Sequence, residues 1–141
     1  MLPSFNEHLK ILSNSGVDLI ILEAMSSQSE IVEALLKCSK NINLPIWLSI
    51  SCVFDKNKEI YLGYDDDVKN DKPQIYENFK ESLYKFKKIH TGPILVAHSN
   101  MSVTDEAIKI LKDNYNQIIG AYPNRGYFEK PKWKFIDNIQ P

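Results

Sequence analysis

Short apolar runs alternate with amphipathic stretches along this chain, and each apolar run ends in polar residues or a turn. The first run, Gly16–Glu23, is apolar from Leu19 to Leu22 without alternation. This pattern is typical of a strand that helices cover on both faces, as in parallel sheets. Ligands of α/β folds bind outside the carboxyl ends of the strands, so Glu23 is a candidate site residue, the alternative being an exposed loop glutamate.

Three further apolar runs predict the same kind of strand, and they cover Pro45–Ser51, Gly92–His98 and Gln117–Tyr122. Polar residues follow each of them. These are Ser51 and Cys52, then His98, Ser99 and Asn100, and finally the turn Pro123–Gly126. All of these polar ends lie on the carboxyl side of their strands, as Glu23 does.

Amphipathic stretches predict four helices. Three begin at a capping pattern, a serine followed three residues later by an acidic residue, at Ser4, Ser27 and Ser102. The first of them is expected to end near Ser13. The fourth predicted helix covers Gln74–Ile89, with apolar residues at helical spacing: Ile75, Phe79, Leu83 and Phe86.

The remaining segments are polar. Val53–Pro73 predicts a long loop, in which Asp65–Asp67 form a solvated acidic turn rather than a calcium site, because the alternate spacing of a calcium loop is missing. No strand is predicted after Gly126. Cys38, on the second helix, is expected to be a small core residue.

Strands that alternate with helices imply right-handed crossovers and a parallel sheet. A small doubly wound sheet would suit the length, but it needs edge strands, and all four strands are predicted to be central. The sequence contains no GxGxxG motif, which weakens a nucleotide-binding version of that fold. The predicted fold class is therefore α/β, a partial (βα)8 TIM barrel of about four parallel strands in one domain over residues 1–141, since a complete barrel needs about 250 residues.

Composition limits the class of partner. The 141 residues carry 17 Lys and Arg against 18 Asp and Glu, a net charge of -1. The chain therefore has no strong positive electrostatic field that would attract nucleic acid or anionic lipid. No apolar run approaches about 18 residues and the first residues carry no basic region, so a cytoplasmic protein is expected. The two cysteines, Cys38 and Cys52, form no Cys-x-x-Cys pair and predict no disulfide framework.

Four strand-end sequences resemble the homocysteine S-methyltransferases, including the betaine- and S-methylmethionine-dependent enzymes. They are Gly16–Met25, Leu44–Cys52, Pro93–Met101 and Tyr122–Gly126, the last followed by Trp133. The Gly-Val-Asp strand that ends in Glu23, together with the Tyr-Pro-Asn-x-Gly turn, is the most specific part. The resemblance implies a (βα)8 barrel and methyl transfer from a sulfonium or ammonium donor to the thiol of homocysteine, giving methionine. It also implies zinc, held by three cysteine thiolates.

The resemblance implies a set of substrate-binding residues that all follow predicted strands: Glu23, Ser51, Cys52, Asn100, Tyr122 and Asn124. Glu23 would meet the ammonium group of the substrate, and Asn124 with its turn would line the same mouth. His98 is interpreted as a strand-end hydrogen-bonding group rather than a metal ligand.

The sequence departs from the family at the metal. Met101 stands where the family has its first zinc cysteine, and a thioether is a poor zinc ligand. The Gly-Gly-Cys-Cys motif and the first three strands of the family have no counterpart, so zinc is not expected to bind this chain. One interpretation is a homocysteine methyltransferase by descent, a fragment that is inactive alone or completed by a second copy or a complementing chain. The other is a non-catalytic α/β module that binds a small amino acid or a partner chain.

Overall fold

The computed structural model describes residues 2–67, 72–129 and 132–135. These ranges contain the helices α1 (Leu2–Ser13), α2 (Ser29–Ser39), α3 (Phe79–Phe86) and α4 (Met101–Asn114). They also contain the strands β1 (Ile20–Leu22), β2 (Ile46–Ile50), β3 (Cys52–Phe54), β4 (Ile60–Asp67), β5 (Lys72–Asn78), β6 (Ile94–Ala97), β7 (Ile119–Tyr122), β8 (Gly126–Glu129) and β9 (Lys132–Phe135).

The four predicted strands form one parallel sheet in the order β1-β2-β6-β7. The register aligns Leu22 with Leu48 and Ala97 with Tyr122. The prediction of a mixed α/β fold with four parallel strands is thereby confirmed. The two strands at the edges of the sheet are β1 and β7.

One hydrophobic core lies between the helices and one face of this sheet. Alternate strand residues enter it, including Ile20 and Leu22, each 5% exposed. The helices pack in sequence order, α1 on α2, α2 on α3 and α3 on α4. Ile21, on the opposite face, is 41% exposed, so the expectation that β1 is covered on both faces is wrong. Cys38 lies in the core, as predicted.

The prediction of a long polar loop over Val53–Pro73 is wrong, because β3, β4 and β5 form an antiparallel sheet there. Buried apolar residues alternate with polar ones in β4, where Ile60 and Leu62 join the core. This short period-2 pattern is obscured by the charged residues around it. The acidic run Asp65–Asp67, expected in a turn, ends β4 instead. Residues 68–71 of the predicted loop lie outside the described residues.

The helix predicted for Gln74–Ile89 begins later than expected, at Phe79, the first residue of α3. Ile75 belongs to β5, where it pairs with Gly63, and it is 40% exposed. Asn78 caps α3 by accepting hydrogen bonds from the N–H groups of Lys80 and Glu81, at 3.0 and 3.3 Å. Ile75 lies four residues before Phe79, which is helical spacing, although Ile75 belongs to a strand and only Phe79 to the helix.

The three predicted capping serines do not cap their helices. Ser4 lies inside α1, and Gln28, not Ser27, precedes α2. Asn100 caps α4, since its side chain accepts a hydrogen bond from the N–H of Ser102 at 3.1 Å. In α4 an asparagine two residues before the predicted serine takes the capping role, and α2 has no side-chain cap, so the pattern locates a helix start only to within about a turn.

The prediction that no strand follows Gly126 is also wrong, because β8 and β9 form an antiparallel hairpin there. All four residues of β9 are exposed, so no buried apolar face marks this strand in the sequence. Among the described helices, none has the length and apolar character that a bilayer-spanning helix needs.

Candidate functional site

A cluster of four side chains lies at the carboxyl end of the parallel sheet, on the face opposite the helices. We call Glu23, Ser49, His98 and Tyr122 the Glu23 cluster. Because Ile20 and Leu22 point into the core, strand alternation places Glu23 on the opposite face. One carboxylate oxygen of Glu23, Oε1, lies 2.6 Å from His98 Nε2, and the other, Oε2, lies 2.7 Å from the Tyr122 hydroxyl.

Tyr122 connects the two edges of the sheet. Its side chain starts on β7 and its hydroxyl meets both Glu23, after β1, and Ser49 of β2. The Tyr122 and Ser49 hydroxyl oxygens are 2.5 Å apart. The strand between them, β6, ends in Ala97, whose small side chain leaves room for the tyrosine ring. The His98 ring meets the Tyr122 ring edge-on, with 5.6 Å between their centroids.

The hydrogen bonds determine the protonation of the cluster. Partial burial raises the pKa of the Glu23 carboxyl, but hydrogen bonds from Tyr122 and His98 and the charge of His98 outweigh it, so the pKa lies below its usual value. An ionised carboxylate only accepts hydrogen bonds, so His98 Nε2–H and the Tyr122 O–H both donate to it. The Ser49 hydroxyl then donates to the Tyr122 oxygen.

Loop contacts hold the backbone at His98. Its φ is 49°, in the left-handed region, which non-glycine residues adopt at some cost. The side chain of Asn124 donates a hydrogen bond to the carbonyl of His98 at 3.0 Å, and the Asn124 N–H donates to the carbonyl of Ser99 at 3.0 Å. The loop after β7 therefore orients the loop after β6.

Three of the residues predicted from sequence meet at this place, and three do not. Glu23 and Tyr122 belong to the cluster, and Asn124 supports it through the backbone. Ser51 and Cys52 are buried, 2% exposed each. Burial raises the pKa of the Cys52 thiol, and this side chain lies in the hydrophobic core.

Asn100 lies elsewhere. Besides capping α4, it lines an open groove of about 750 Å³ between the start of α4 and the β3-β4-β5 sheet. Lys58, Tyr61 and Ile75 line the other side of that groove. In this structure Asn100 therefore lines a different place from the Glu23 cluster.

Two members of the cluster are missing from the residues predicted from sequence. Ser49 is not among them, although it is a polar residue that interrupts an apolar strand and lies on the same face as Glu23. It is fully buried, so its bond to Tyr122 gives its hydroxyl a needed partner. His98 forms the hydrogen bond that its strand-end position predicts, but its partner lies 75 residues away in sequence and no local pattern indicates it.

The donor atoms of this chain do not fit a zinc site of three thiolates. Its two cysteines, Cys38 and Cys52, are both buried in the core, and Met101 is an exposed first residue of α4. Across residues 2–67, 72–129 and 132–135, no three His, Cys, Asp or Glu side chains are grouped to hold a metal. Glu23 and His98 supply only two such donors, and they are bonded to each other.

Comparison with known protein families gives a match over nearly the whole chain. A family model described as homocysteine S-methyltransferase matches residues 1–138. The match includes all four residues of the Glu23 cluster and confirms the resemblance seen in the strand-end sequences. No curated protein and no solved structure matches the chain.

Proposed function

This chain belongs to the homocysteine S-methyltransferase family, and from that membership we propose that it binds homocysteine at the Glu23 cluster. The reaction proposed for the bound amino acid is transfer of a methyl group from a sulfonium or ammonium donor to the thiol, giving methionine. In this proposal Glu23 accepts hydrogen bonds from the ammonium group of the substrate. Such a contact is charge-assisted, and it positions the substrate rather than activating it.

The observation that carries the proposal is an ionised, oriented carboxylate at the carboxyl ends of parallel strands. The Glu23 side chain is 46% exposed, although both of its oxygens already accept a hydrogen bond. A carboxylate offers about four lone-pair positions, so about two remain for an ammonium group. Because Tyr122 and His98 hold the carboxylate in place, little conformational entropy is lost when a ligand binds.

Glu23→Gln is expected to weaken the binding of L-homocysteine by about 1.5 to 3 kcal/mol, the usual contribution of a hydrogen bond to a charged group. This corresponds to an increase of roughly 10- to 150-fold in Kd, measured by isothermal titration calorimetry. Glu106→Gln is the matched control, since Glu106 is an exposed residue of α4 that pairs with Lys109. Wild type should also bind N-acetylhomocysteine, which lacks the ammonium charge, more weakly. Equal affinities of the wild type and Glu23→Gln for L-homocysteine would remove Glu23 from the site.

A second candidate function is a non-catalytic module that binds the amino acid or a partner chain. The donor set favours it, because a zinc site of three thiolates cannot be built from two buried cysteines. A methyl-transfer assay with S-methylmethionine and homocysteine separates the two candidates. Production of methionine supports the enzyme, and binding without turnover supports the module.

For the fold we propose part of a (βα)8 barrel. The sequential strand order β1-β2-β6-β7 and the row of helices on one face support this proposal, since a doubly wound sheet would reverse its strand order and carry helices on both faces. In the part of the chain that the structure describes, β1 and β7 each have one neighbouring strand in this sheet. We propose that another chain, a second copy or a complementing one, pairs with these edges.

Light scattering at micromolar concentration is expected to show a dimer of this chain, or a complex once a complementing chain is supplied. Ile21→Lys should reduce that assembly to a monomer, because a charge on an edge strand opposes strand pairing. Ile21 is 41% exposed, so the substitution should leave the protomer folded. A wild-type monomer with a cooperative thermal transition would contradict the proposed assembly.

A further inference from the structure

We propose that Ser49 is a positioning residue for homocysteine binding: its buried hydroxyl directs the hydroxyl of Tyr122, and Tyr122 in turn holds the Glu23 carboxylate in place. This role rests on the proposed binding of homocysteine at the Glu23 cluster. Ser49 is fully buried behind the exposed part of the cluster, so it acts on a bound amino acid through its neighbours.

The hydrogen bond of the Ser49 side chain differs from that of Ser39, another buried serine. The hydroxyl of Ser39 donates to the carbonyl of Leu36 at 2.8 Å, three residues earlier in the same helix. Such a local bond satisfies a buried hydroxyl without any tertiary partner. The Ser49 hydroxyl instead meets the hydroxyl of Tyr122, 73 residues away in sequence, at 2.5 Å. A residue buried within the sheet is thereby joined to a side chain of the candidate site.

The direction of donation follows from the ionised carboxylate at the end of this chain of hydrogen bonds. Glu23 Oε2 only accepts, so the Tyr122 hydroxyl donates to it at 2.7 Å. The Tyr122 oxygen then accepts the proton of Ser49. If Tyr122 donated to Ser49 instead, a lone pair of the tyrosine oxygen would face the carboxylate and repel it. The Ser49 hydroxyl therefore keeps the Tyr122 proton directed at Glu23.

The electrostatics of the cluster agree with this direction. Burial raises the pKa of Tyr122, the hydrogen bond with Ser49 lowers it, and Glu23 raises it. A hydrogen bond that the phenol oxygen accepts stabilises the phenolate and lowers the pKa, as the bond with Ser49 does. Partial burial raises the pKa of the Glu23 carboxyl, but the hydrogen bonds of the cluster, one of them from Ser49, and the charge of His98 bring it below its usual value.

The backbone of Ser49 holds the loop after Glu23 as well. Its carbonyl accepts a hydrogen bond from the N–H of Met25 at 2.7 Å. Ala24, which lies between Glu23 and Met25, has a φ of 52°, in the left-handed region. Ser49→Ala keeps this backbone contact and removes the hydroxyl, so the substitution isolates the contribution of the side chain.

A fixed carboxylate binds an ammonium group more tightly than a mobile one, because less conformational entropy is lost on binding. His98 holds Oε1 of Glu23 and Tyr122 holds Oε2. When the Ser49 hydroxyl is absent, the Tyr122 proton is no longer directed at Oε2. The carboxylate then loses part of its fixed orientation, although every atom proposed to touch the amino acid is still present.

Ser49→Ala is expected to raise the Kd for L-homocysteine roughly 2- to 10-fold, the usual effect of losing one neutral hydrogen bond. Isothermal titration calorimetry on the full chain measures it. Because losing this bond raises the pKa of Glu23, binding should also be lost at a higher pH on acidification than in the wild type. Within the described part of the chain, the titratable side chains in contact with Glu23 are His98 and Tyr122. Ser39→Ala is the matched control and should keep the wild-type Kd and pH profile.

A double-mutant cycle with Tyr122→Phe tests the route through Tyr122. Phenylalanine keeps the ring but has no hydroxyl, so Tyr122→Phe should itself weaken binding. If Ser49 acts through Tyr122, adding Ser49→Ala to Tyr122→Phe should change Kd by less than about twofold. A purely structural role of Ser49 would lower the stability of the variants in denaturant unfolding without this dependence on Tyr122.

The outcomes separate the role of Ser49 from the proposed function. A wild-type Kd and pH profile in Ser49→Ala overturn the role of Ser49 and leave homocysteine binding intact. Additive effects of Ser49→Ala and Tyr122→Phe also overturn it, as does an equal loss of affinity in Ser39→Ala. Absence of homocysteine binding by the wild type overturns the proposed function and this role together. Weaker, pH-shifted binding in Ser49→Ala that depends on the Tyr122 hydroxyl supports the assignment.

Discussion

Phe86→Ala is expected to lower the free energy of unfolding by about 3 to 5 kcal/mol, the usual loss for a buried phenylalanine. Phe86 is the last residue of α3 and is fully buried in the core beneath the parallel sheet. The loss combines the transfer free energy of the ring with a cavity that its neighbours fill only partly. Since a domain is stabilised by about 5 to 15 kcal/mol in total, this one substitution should remove a large fraction. Denaturant unfolding measures it.

Tyr84→Ala is the matched control for Phe86→Ala. Tyr84 belongs to the same helix, but it is 57% exposed. The described contacts of its ring are with the ammonium groups of Lys87 and Lys88. Exposed cation–π contacts contribute about 0.5 to 1 kcal/mol, so the loss should stay below about 1 kcal/mol. Equal losses in the two variants would show that α3 does not bury the face assigned to it.

Gly63→Ala is expected to destabilise the fold by about 3 kcal/mol or more, at the upper end of the range for overpacked sites. A Cβ at this position would lie 2.0 Å from the carbonyl oxygen of Gln74 and 2.7 Å from Val53 Cγ1. The first obstacle is backbone of β5, so β4 and β5 must separate. The N–H of Gly63 also donates to the carbonyl of Ser51 at 3.1 Å, which joins the antiparallel sheet to the end of β2.

Gly120→Ala tests the reason given for that loss. A Cβ there would lie 2.8 Å from Leu95 Cδ2, the end of a flexible side chain, which can move at lower cost than backbone. We therefore expect a smaller loss, about 1 kcal/mol. Thermal or denaturant unfolding of both variants gives the comparison. A loss in Gly120→Ala as large as that in Gly63→Ala would mean that backbone proximity does not set the cost.

The Glu23 cluster depends on the parallel sheet, which Gly120→Ala on β7 probes directly. Glu23 follows the edge strand β1, and Tyr122 ends the opposite edge strand β7. The hydrogen bonds of the cluster therefore form only when all four strands are aligned. A variant that loosens the sheet should weaken homocysteine binding along with stability, whereas Glu23→Gln should weaken binding alone.

Local patterns in the sequence were enough to predict the parallel strands and the main buried helix face. The continuous apolar residues Leu19–Leu22 indicate β1, and Phe79, Leu83 and Phe86 at helical spacing indicate the buried face of α3. These patterns succeed because burying apolar side chains is the dominant stabilising term and its period follows the backbone geometry. The position of Glu23 at a strand end follows from the same reasoning.

Only the tertiary structure decided which side chains meet. Glu23 contacts His98 and Tyr122, which are 75 and 99 residues away in sequence. It also decided that β4, β5 and the β8-β9 hairpin form. The buried residues of β4 stand among charged ones, whereas Ile75 and Tyr76 of β5 and all of β9 are exposed, so each strand leaves a weak pattern. Hydrophobic periodicity reports how each segment faces the core, whereas the partners across a sheet depend on strand order and register, which arise from contacts between segments distant in the chain.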